Sequence, residues 1–584
     1  MPCQLPPTDD TALRFTEAAI RMAHPEWNAG ISQASSRVAA NVYSAGKAGS
    51  RLSDDTRAAD QTGRAVSYFP RLILAAINLL SPKRSWKFQK MHLNPLLIVA
   101  LTVSAGIALW GIVDPQGLGA ISSAIVSAQF SSRGWFIMLE ASGLLFVAIY
   151  LVFSRFGSVR LGPEGSEPEF STPSWIAMLF AAGMGVGLLF YGTAEPLTHF
   201  SVLRQFSGDP EAAGLALFVT YLNWGFHAWA IYGVVGLVIA YFAFRRGRTL
   251  LLSAPLTDVY GDHGWTRALA WLFDLLSIVA IAVGLAGSLA MGVFQIQTGL
   301  AGLIGIENPS NLTAPVFVAM CVAFFIPLRR DLGEGMARLS NVAMLLALGL
   351  MVFLLVLGPT SYIMNSIVSG FGRYVFNVLP AGFATAEFFD SSVVDWFQGW
   401  TLNYMIWWLA WSPFVGVFIA RISRGRTIRE FLVGVVVAPT LFSVFWFGVF
   451  GGIGFFDALR GNGMLLEVNS KSLDATTFAL LQQFPLSTVT QAATILAAFL
   501  FVVTSVVSAG FTLAMIGTGG DENPSPRIRT VWGAVLGALG LAMIFVNDIA
   551  VVRSIIALSA IAFVFIVPIL VVCLFRSLKT ECPK

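Results

Sequence analysis

Charge is scarce in this sequence. Asp, Glu, Lys and Arg make up 12% of its 584 residues, against about a quarter in a typical water-soluble domain, so most of the chain is not built to face water. Cysteine is scarcer still: Cys3, Cys321, Cys573 and Cys582 lie near the termini or inside apolar runs with no CxxC spacing, which argues against a disulfide framework or a cysteine-ligated metal. No nucleophile, metal or nucleotide motif is present, and so nothing points to an enzyme. A basic tract interleaved with aromatics is also missing, which removes nucleic acid as a partner. The first 70 residues are polar and rich in Ala, Ser and Arg, unlike the apolar core of a cleavable signal peptide.

Apolar residues fill the gap, at 56% of the chain. A bilayer core about 30 Å thick takes roughly 20 apolar residues per helical crossing, and runs of that length recur almost to the C-terminus. The pattern predicts twelve spans, at 93–113, 134–153, 173–193, 215–243, 268–303, 313–328, 338–360, 396–420, 431–456, 487–517, 530–548 and 553–575. The run 268–303 reads as one long tilted helix or as a kinked one. The expected fold class is therefore an all-α integral membrane protein with twelve transmembrane helices.

Lys and Arg next to spans are retained on the cytoplasmic side. With a cytoplasmic N-terminus the inside loops receive Arg155, Arg160, FRRGR at 244–248, LRRD at 328–331, ARISRGRTIREF at 420–431 and PRIR at 526–529. Both termini are then expected inside, and the net charge of +4 reflects this bias. Residues 1–91 read as a polar cytoplasmic arm. Within it RLILAAINLLSPKRSWKFQK at 71–90 places Lys83, Arg84, Lys87 and Lys90 after one apolar run. Such a stretch is either a helix lying on anionic membrane lipid or an unstructured tail with a basic juxtamembrane end.

The third span carries glycines at 183, 185 and 187 in AAGMGVGLLFYGTAEPLTHF. Each costs about 1 kcal/mol relative to alanine inside a helix, so together they invite local unwinding. The eighth carries Pro413 in WWLAWSPFVG, which removes a backbone donor and crowds the preceding turn. If spans three to seven and eight to twelve form two five-helix units, each interrupted helix is the first of its unit and spans one and two are accessory. Either feature alone reads as close helix packing. Paired at matching positions, they read as a midplane binding site whose unwound backbone, around Gly185 and Gly187, offers carbonyls to a cation and amides to a carboxylate.

Aromatics cluster where such a site would lie. On a continuous fourth helix Trp229 and Tyr232 are about 60° apart and Trp224 about 80° from Tyr232, so the three share one broad face. In the eighth span Trp407, Trp408 and Trp411 occupy a similar arc. Tryptophan in membrane proteins favours the interfaces, but Trp224, Trp229, Trp408 and Trp411 fall near mid-span. Mid-membrane indoles either pack as core or cage a quaternary ammonium, which ring faces attract by about 0.5 to 2 kcal/mol each. His227 and Glu140 are ionisable groups inside spans, read as a proton relay or as locally partnered buried groups. Glu195 is assigned to the end of the third helix, as a cap or as the partner of a loop base.

At these residues the chain resembles the betaine/choline/carnitine transporter family. The tracts AAGMGVGLLFYGTAEPLTHF, NWGFHAWAIYGVVGLVIAYFAFRRGR and WSPFVGVFIARISRGRTIREF are similar to that family's patterns, and the likeness runs from about residue 92 to 576. It implies a LeuT-type five-plus-five inverted repeat in spans three to twelve, import of a trimethylammonium-type zwitterion, sodium as coupling ion, and a homotrimer. Carried over by motif, the cage comprises Trp224, Trp229, Tyr232 and Trp408, with Trp407 and Trp411 lining the inner exit. One sodium falls to the carbonyls of Ala181 and Met184 with Phe501 and the hydroxyls of Thr504 and Ser505. The sequence departs from the pattern at YMIWWLAWSP, where Met405 replaces a Trp, and at TSVVS, where Val507 replaces an acidic residue. Around AVGLAGSLAMG the threonines of a second sodium site are missing, leaving Ser288 with Phe414 across from it.

These readings combine into a sodium-coupled importer of glycine betaine or a similar compatible solute, working by alternating access in the cell membrane. Its layout is an arm (1–91), a transporter domain (92–576, with accessory spans at 93–153 and repeats at 173–360 and 396–575) and a short tail (577–584). A proton-linked or exchange-type choline or carnitine carrier is the nearest rival, disfavoured by Gly187 where such relatives tend to carry Asp. A non-transporting membrane sensor is the rival of another class. The tail RSLKTECPK holds only Arg576, Lys579 and Lys584 as bases, too few for the long basic tail of osmosensing relatives, so uptake is expected to need no osmotic activation.

Overall fold

The computed structural model describes residues 94–581 apart from 184, 331 and 332. Readings that fall on the arm 1–91, on Met184 and on the last three residues lie outside the described residues. Among the described residues the chain is helical, with one isolated β-bridge between Arg160 and Thr427 in place of any sheet. Among the described residues eleven helical runs are long and apolar enough to cross a membrane.

The first two helices are α1 (Pro95–Val113) and α2 (Pro115–Phe153). The 39 residues of α2 begin well before the expected start at 134. Asp114 caps it by accepting from the Gly117 amide at 2.8 Å, and the polar stretch that follows buries Leu118, Ser122, Val126 and Phe130 at four-residue spacing. That period marks a helix face which a hydropathy window averages away.

The third span is interrupted as its glycines suggest. Helix α3 (Thr172–Gly183) ends and α4 (Val186–Leu203) begins beyond an extended Gly185. Helix α4 runs through Pro196 to Leu203, ten residues past the expected end at 193. The fourth span is interrupted too, which the sequence reading did not foresee: α5 (Asp209–Trp224) stops at Gly225, with φ −105° and ψ −133°, and α6 (Phe226–Ala240) follows. Trp224 and Trp229 therefore belong to different helices, and the shared-face geometry drawn on one continuous helix does not apply.

Next come α7 (Gly264–Ile304), one unbroken helix of 41 residues, α8 (Thr313–Arg329) and α9 (Gly333–Leu357). Helix α10 (Thr360–Ala381) was not anticipated. It is amphipathic, burying Ile363, Ile367, Gly370, Tyr374 and Val378 along one stripe, so its average hydropathy hides it. The eighth span comprises α11 (Ser391–Phe397), a π-turn at Gln398–Leu402 and α12 (Asn403–Ile422). It is not broken at Pro413. The carbonyl of Leu409, which Pro413 leaves without its helical donor, accepts instead from the Ser412 hydroxyl at 2.8 Å, so the helix continues.

Further along the chain are α13 (Ile428–Arg460), α14 (Ser487–Gly517), α15 (Pro526–Val546), α16 (Ile549–Ala560) and α17 (Phe563–Glu581), and shorter helices at Ala254–Tyr260, Met464–Lys471 and Leu473–Gln482 lie in the connections. Two helices thus replace the single span expected at 553–575. A reciprocal cap opens α13, with the Glu430 amide bonded to the Thr427 hydroxyl at 3.2 Å and the Thr427 amide to the Glu430 carboxylate at 3.0 Å. This is the capping box that TIRE spells.

Helices α6 and α12 pack side by side at the centre, where Gly236 faces Gly416: a Cβ on Gly416 would lie 3.3 Å from the Gly236 nitrogen. At one end the basic loops are bolted together. Arg160 donates to the Gly425 carbonyl at 2.9 Å, Arg426 to the Phe170 carbonyl at 2.8 Å and Arg245 to the Glu581 carboxylate at 2.5 Å.

The break at Gly225 is held by α10: the Tyr374 hydroxyl accepts from the Phe226 amide at 2.7 Å. A Cβ on Gly225 would sit 2.2 Å from that hydroxyl and 2.5 Å from the Tyr221 carbonyl, whereas one on Gly302, in the last turn of α7, meets nothing. Gly225→Ala is expected to destabilise the protein by about 1–3 kcal/mol through overpacking, and Gly302→Ala to be neutral or slightly stabilising. Thermal unfolding of the two purified variants checks the contrast; equal melting temperatures would refute it.

Candidate functional site

A cavity opens beside the interruption in the third span. Gly185, Val186, Gly187 and Tyr191 form one wall, with Trp224 at the end of α5 and Tyr232 on α6. Tyr404, Trp407, Trp408 and Trp411 project from α12, Leu285, Ser288 and Met291 from α7, and Val502, Ser505 and Val506 from α14. Six helices thus meet at it, and none of its lining residues carries a formal charge.

The aromatic rings form a connected cluster. Trp224 and Trp408 lie 5.1 Å apart between centroids at 72°, and Tyr232 and Trp408 lie 5.6 Å apart at 82°. Tyr404 stacks on Trp408 at 5.8 Å and touches Trp224 at 5.4 Å. Edge-to-face contacts leave ring faces available that parallel stacking would cover. Trp229 is not in the lining; it stands behind Tyr232 in an edge contact at 5.6 Å. Trp407 stacks on Tyr404 at 6.0 Å and Trp411 meets Phe414 at the same distance.

Directly behind the rings is Glu195. It is not a cap and pairs with no loop base, because α4 continues past it and leaves it fully buried in mid-helix. Its Oε2 accepts from the Trp224 indole at 2.8 Å and from the Tyr404 hydroxyl at 2.5 Å. Its Oε1 accepts from the Asn223 amide at 3.0 Å and from His199 Nε2 at 3.2 Å. Four donors fill the acceptor capacity of one carboxylate. His199 Nδ1 accepts from the Trp396 indole at 3.1 Å, so the ring is neutral with its proton on Nε2. The main-chain carbonyl of Asn223 in turn accepts from the Trp408 indole at 2.8 Å. One buried acid therefore fixes the rotation of Trp224 and Tyr404 directly, and that of Trp408 through Asn223.

The residues expected to hold cations divide. Ser505 lines the cavity, as Gly185 does. Thr504 is buried in α14, its hydroxyl donating to the carbonyls of Leu500 at 2.9 Å and Phe501 at 3.1 Å. Ala181 falls in the last turn of α3, and Met184 lies outside the described residues. Ser288 faces the cavity, whereas Phe414 lines a separate pocket with Pro327 and Arg421. His227 and Glu140 stand apart from the cavity, His227 Nε2 lying 3.3 Å from the Ser142 hydroxyl.

Sequence reading missed Tyr191 and Tyr404, one helical turn or less from residues it did select, and misplaced Glu195. A signal for Glu195 was available: an acid followed by PLTHF, apolar enough to extend the span, reads as intramembrane and hence functional.

A sequence profile of betaine/carnitine/choline family transporters matches residues 95–583. The chain is 36% identical over 493 residues to the glycine betaine transporter OpuD of Bacillus subtilis, an alignment covering 84% of this chain and 95% of that protein. It is 34% identical over 499 residues to a probable glycine betaine transporter of Desulfitobacterium hafniense, covering 84% and 98%. To the high-affinity choline transport protein of Escherichia coli it is 32% identical over 452 residues, covering 77% and 66%.

Glu195→Gln turns an amide NH₂ toward one donor pair and is expected to destabilise the protein by about 1–3 kcal/mol, the cost of a buried group left unsatisfied. The near-UV circular dichroism of the tryptophans should change with it. Unaltered melting and unaltered dichroism would show that Glu195 does not hold the rings.

Proposed function

The chain belongs to the betaine/carnitine/choline transporter family, and on that basis we propose that it is a secondary active importer of a quaternary-ammonium compatible solute, glycine betaine or a close analogue. The observation that carries the substrate class is the ring cluster of Trp224, Tyr232, Tyr404 and Trp408 around an uncharged cavity. A trimethylammonium group donates no N–H hydrogen bond, and ring faces are what attracts it. Glu195, one hydrogen bond behind Trp224 and Tyr404, adds negative potential where the cation would rest. Gly185 and Gly187 leave room for a carboxylate at the interrupted backbone. Trp229 supports Tyr232 from behind, and Trp407 and Trp411 line the route onward.

In this proposal uptake is coupled to sodium. The α14 groups suit a hard cation, which prefers oxygen ligands: Thr504 and Ser505 offer hydroxyls and Phe501 a carbonyl, with the Ala181 and Met184 carbonyls completing the set. A second sodium near Ser288 and Phe414 has weaker support, since these residues face different cavities. A bound sodium would link the two sides of the interrupted helix, so that cation and solute stabilise the same closed arrangement.

The accompanying architecture is a LeuT-type repeat of five plus five helices by alternating access. The interrupted pair α3–α4 supplies the twelfth crossing, and the bolted basic loops and both termini face the cytoplasm by the positive-inside bias. A homotrimer in the cell membrane is part of the same proposal.

Uptake of labelled glycine betaine, choline and carnitine into proteoliposomes, with and without a sodium gradient, tests it. Betaine accumulation driven by sodium is expected, and Thr504→Ala with Ser505→Ala should raise the sodium concentration for half-maximal uptake several-fold. Equal transport in potassium would remove sodium from the mechanism. Separately, Trp408→Leu should weaken solute binding roughly tenfold or more by deleting a ring face worth about 0.5 to 2 kcal/mol together with its contacts, while the protein stays folded. Normal binding by the folded variant would refute the cage.

A further inference from the structure

Three cations converge on a hollow that the transport reading leaves unused. The pocket in which Phe414 stands has a volume of about 240 Å³, and its walls come from α8, α9, α12, α14 and α15. Arg330 lines it just past the end of α8, Arg421 from the last turn of α12 and Arg529 from the first turn of α15. Ser508 and Thr512 of α14 add hydroxyls, and no described lining residue is Asp or Glu. The Arg421 and Arg529 guanidinium groups lie 5.7 Å and 5.9 Å from the centroid of one ring, that of Phe511.

A bias toward basic loops accounts for arginines at this end of the bundle, but not for their lack of partners. Arg160, Arg245 and Arg426 of the same loops donate to carbonyls or to a carboxylate. The side chains of Arg330, Arg421 and Arg529 make no ion pair and no hydrogen bond among the described residues. Arg330 and Arg421 stand exposed at the rim, whereas Nε of the half-buried Arg529 is shielded from water and donates to nothing. The helix end adds to the cost: the N-terminus of α15 already carries positive partial charge, and its first turn holds no acid. Like charges gathered in a partly dry hollow repel one another more than they do in water. An anion there satisfies the buried donor, the helix end and the clustered charges together.

We propose that this pocket is a binding site for a phosphate monoester or inorganic phosphate, separate from the transport cavity. Guanidinium groups arriving from three elements suit a ligand with three or more acceptor oxygens and more than one negative charge, which a phosphate monoester offers and a carboxylate does not. Free phosphate and the headgroup of phosphatidic acid share that chemistry. Trp411 and Phe414, in edge contact at 6.0 Å, line the transport cavity and this pocket respectively. A bound anion therefore ties the ends of α12, α14 and α15 together one ring away from the route of the solute.

Two measurements on the purified full-length protein test the site. Isothermal titration calorimetry follows inorganic phosphate binding in phosphatidylcholine nanodiscs at constant ionic strength. Native mass spectrometry follows phosphatidic acid retained from phosphatidylcholine vesicles that contain it. Arg421→Gln combined with Arg529→Gln should weaken binding roughly tenfold or more, as expected for loss of two charge-assisted contacts. Arg529→Gln serves alone if the double variant does not fold. Lys579→Gln removes an exposed positive charge from the last turn of α17, outside the pocket, and should leave binding unchanged. Phosphate binding with this pattern supports the site with a free anion as its ligand; retention of phosphatidic acid alone, with the same pattern, supports it with the lipid headgroup. A wild type that takes up neither ligand overturns the proposal. So do folded arginine variants that bind as wild type does, or a loss in Lys579→Gln equal to that in Arg529→Gln, which would reduce the effect to general surface charge.

Discussion

A carboxylate buried in an apolar helix bundle must be fully hydrogen-bonded or it destabilises the fold by several kcal/mol, and Glu195 meets that demand at the expense of every neighbour's freedom. Its four donors come from α4 itself, from the end of α5 and from α12. Because two of those donors are ring edges of the cavity wall, satisfying the acid and shaping the site are one event. Trp408 joins through the Asn223 carbonyl. The rings that would recognise a cation are thus fixed in rotation before any ligand arrives, which lowers the ordering cost of binding.

The cavity exists because backbone, as well as side chains, yields around it. The third span stops at Gly183 and resumes at Val186, and the fourth turns at Gly225 under the Tyr374 hydroxyl. Irregular backbone at membrane depth is tolerated only where it is enclosed by protein or lines a cavity, and both interruptions adjoin the aromatic cluster. The close approach of α6 and α12 at Gly236 and Gly416 brings Tyr232 and Trp408 within contact.

Much of this was legible in the residues. Length and apolarity of the runs identify membrane-crossing helices, since the bilayer thickness sets a requirement that each segment meets alone. The glycines at 183, 185 and 187 mark the first interruption because glycine's helix penalty is intrinsic. Aromatics at 224 and 408 stand out because tryptophan at mid-span has no interface to serve, and the motif tracts around them suffice for the family.

Other features were decided by contacts between distant segments. Pro413 looks like a break, yet the Ser412 hydroxyl supplies the missing donor and the helix continues. Gly225 looks like an ordinary helical glycine, yet α10, more than a hundred residues later, makes it a turn. Glu195 looks terminal until Tyr404, 209 positions away, is seen to bond it. Composition and periodicity act within one helix, so they fix which segments cross the membrane and where the backbone is weak. A buried polar atom is satisfied by whatever the bundle brings to it, and that is a property of the assembled helices alone.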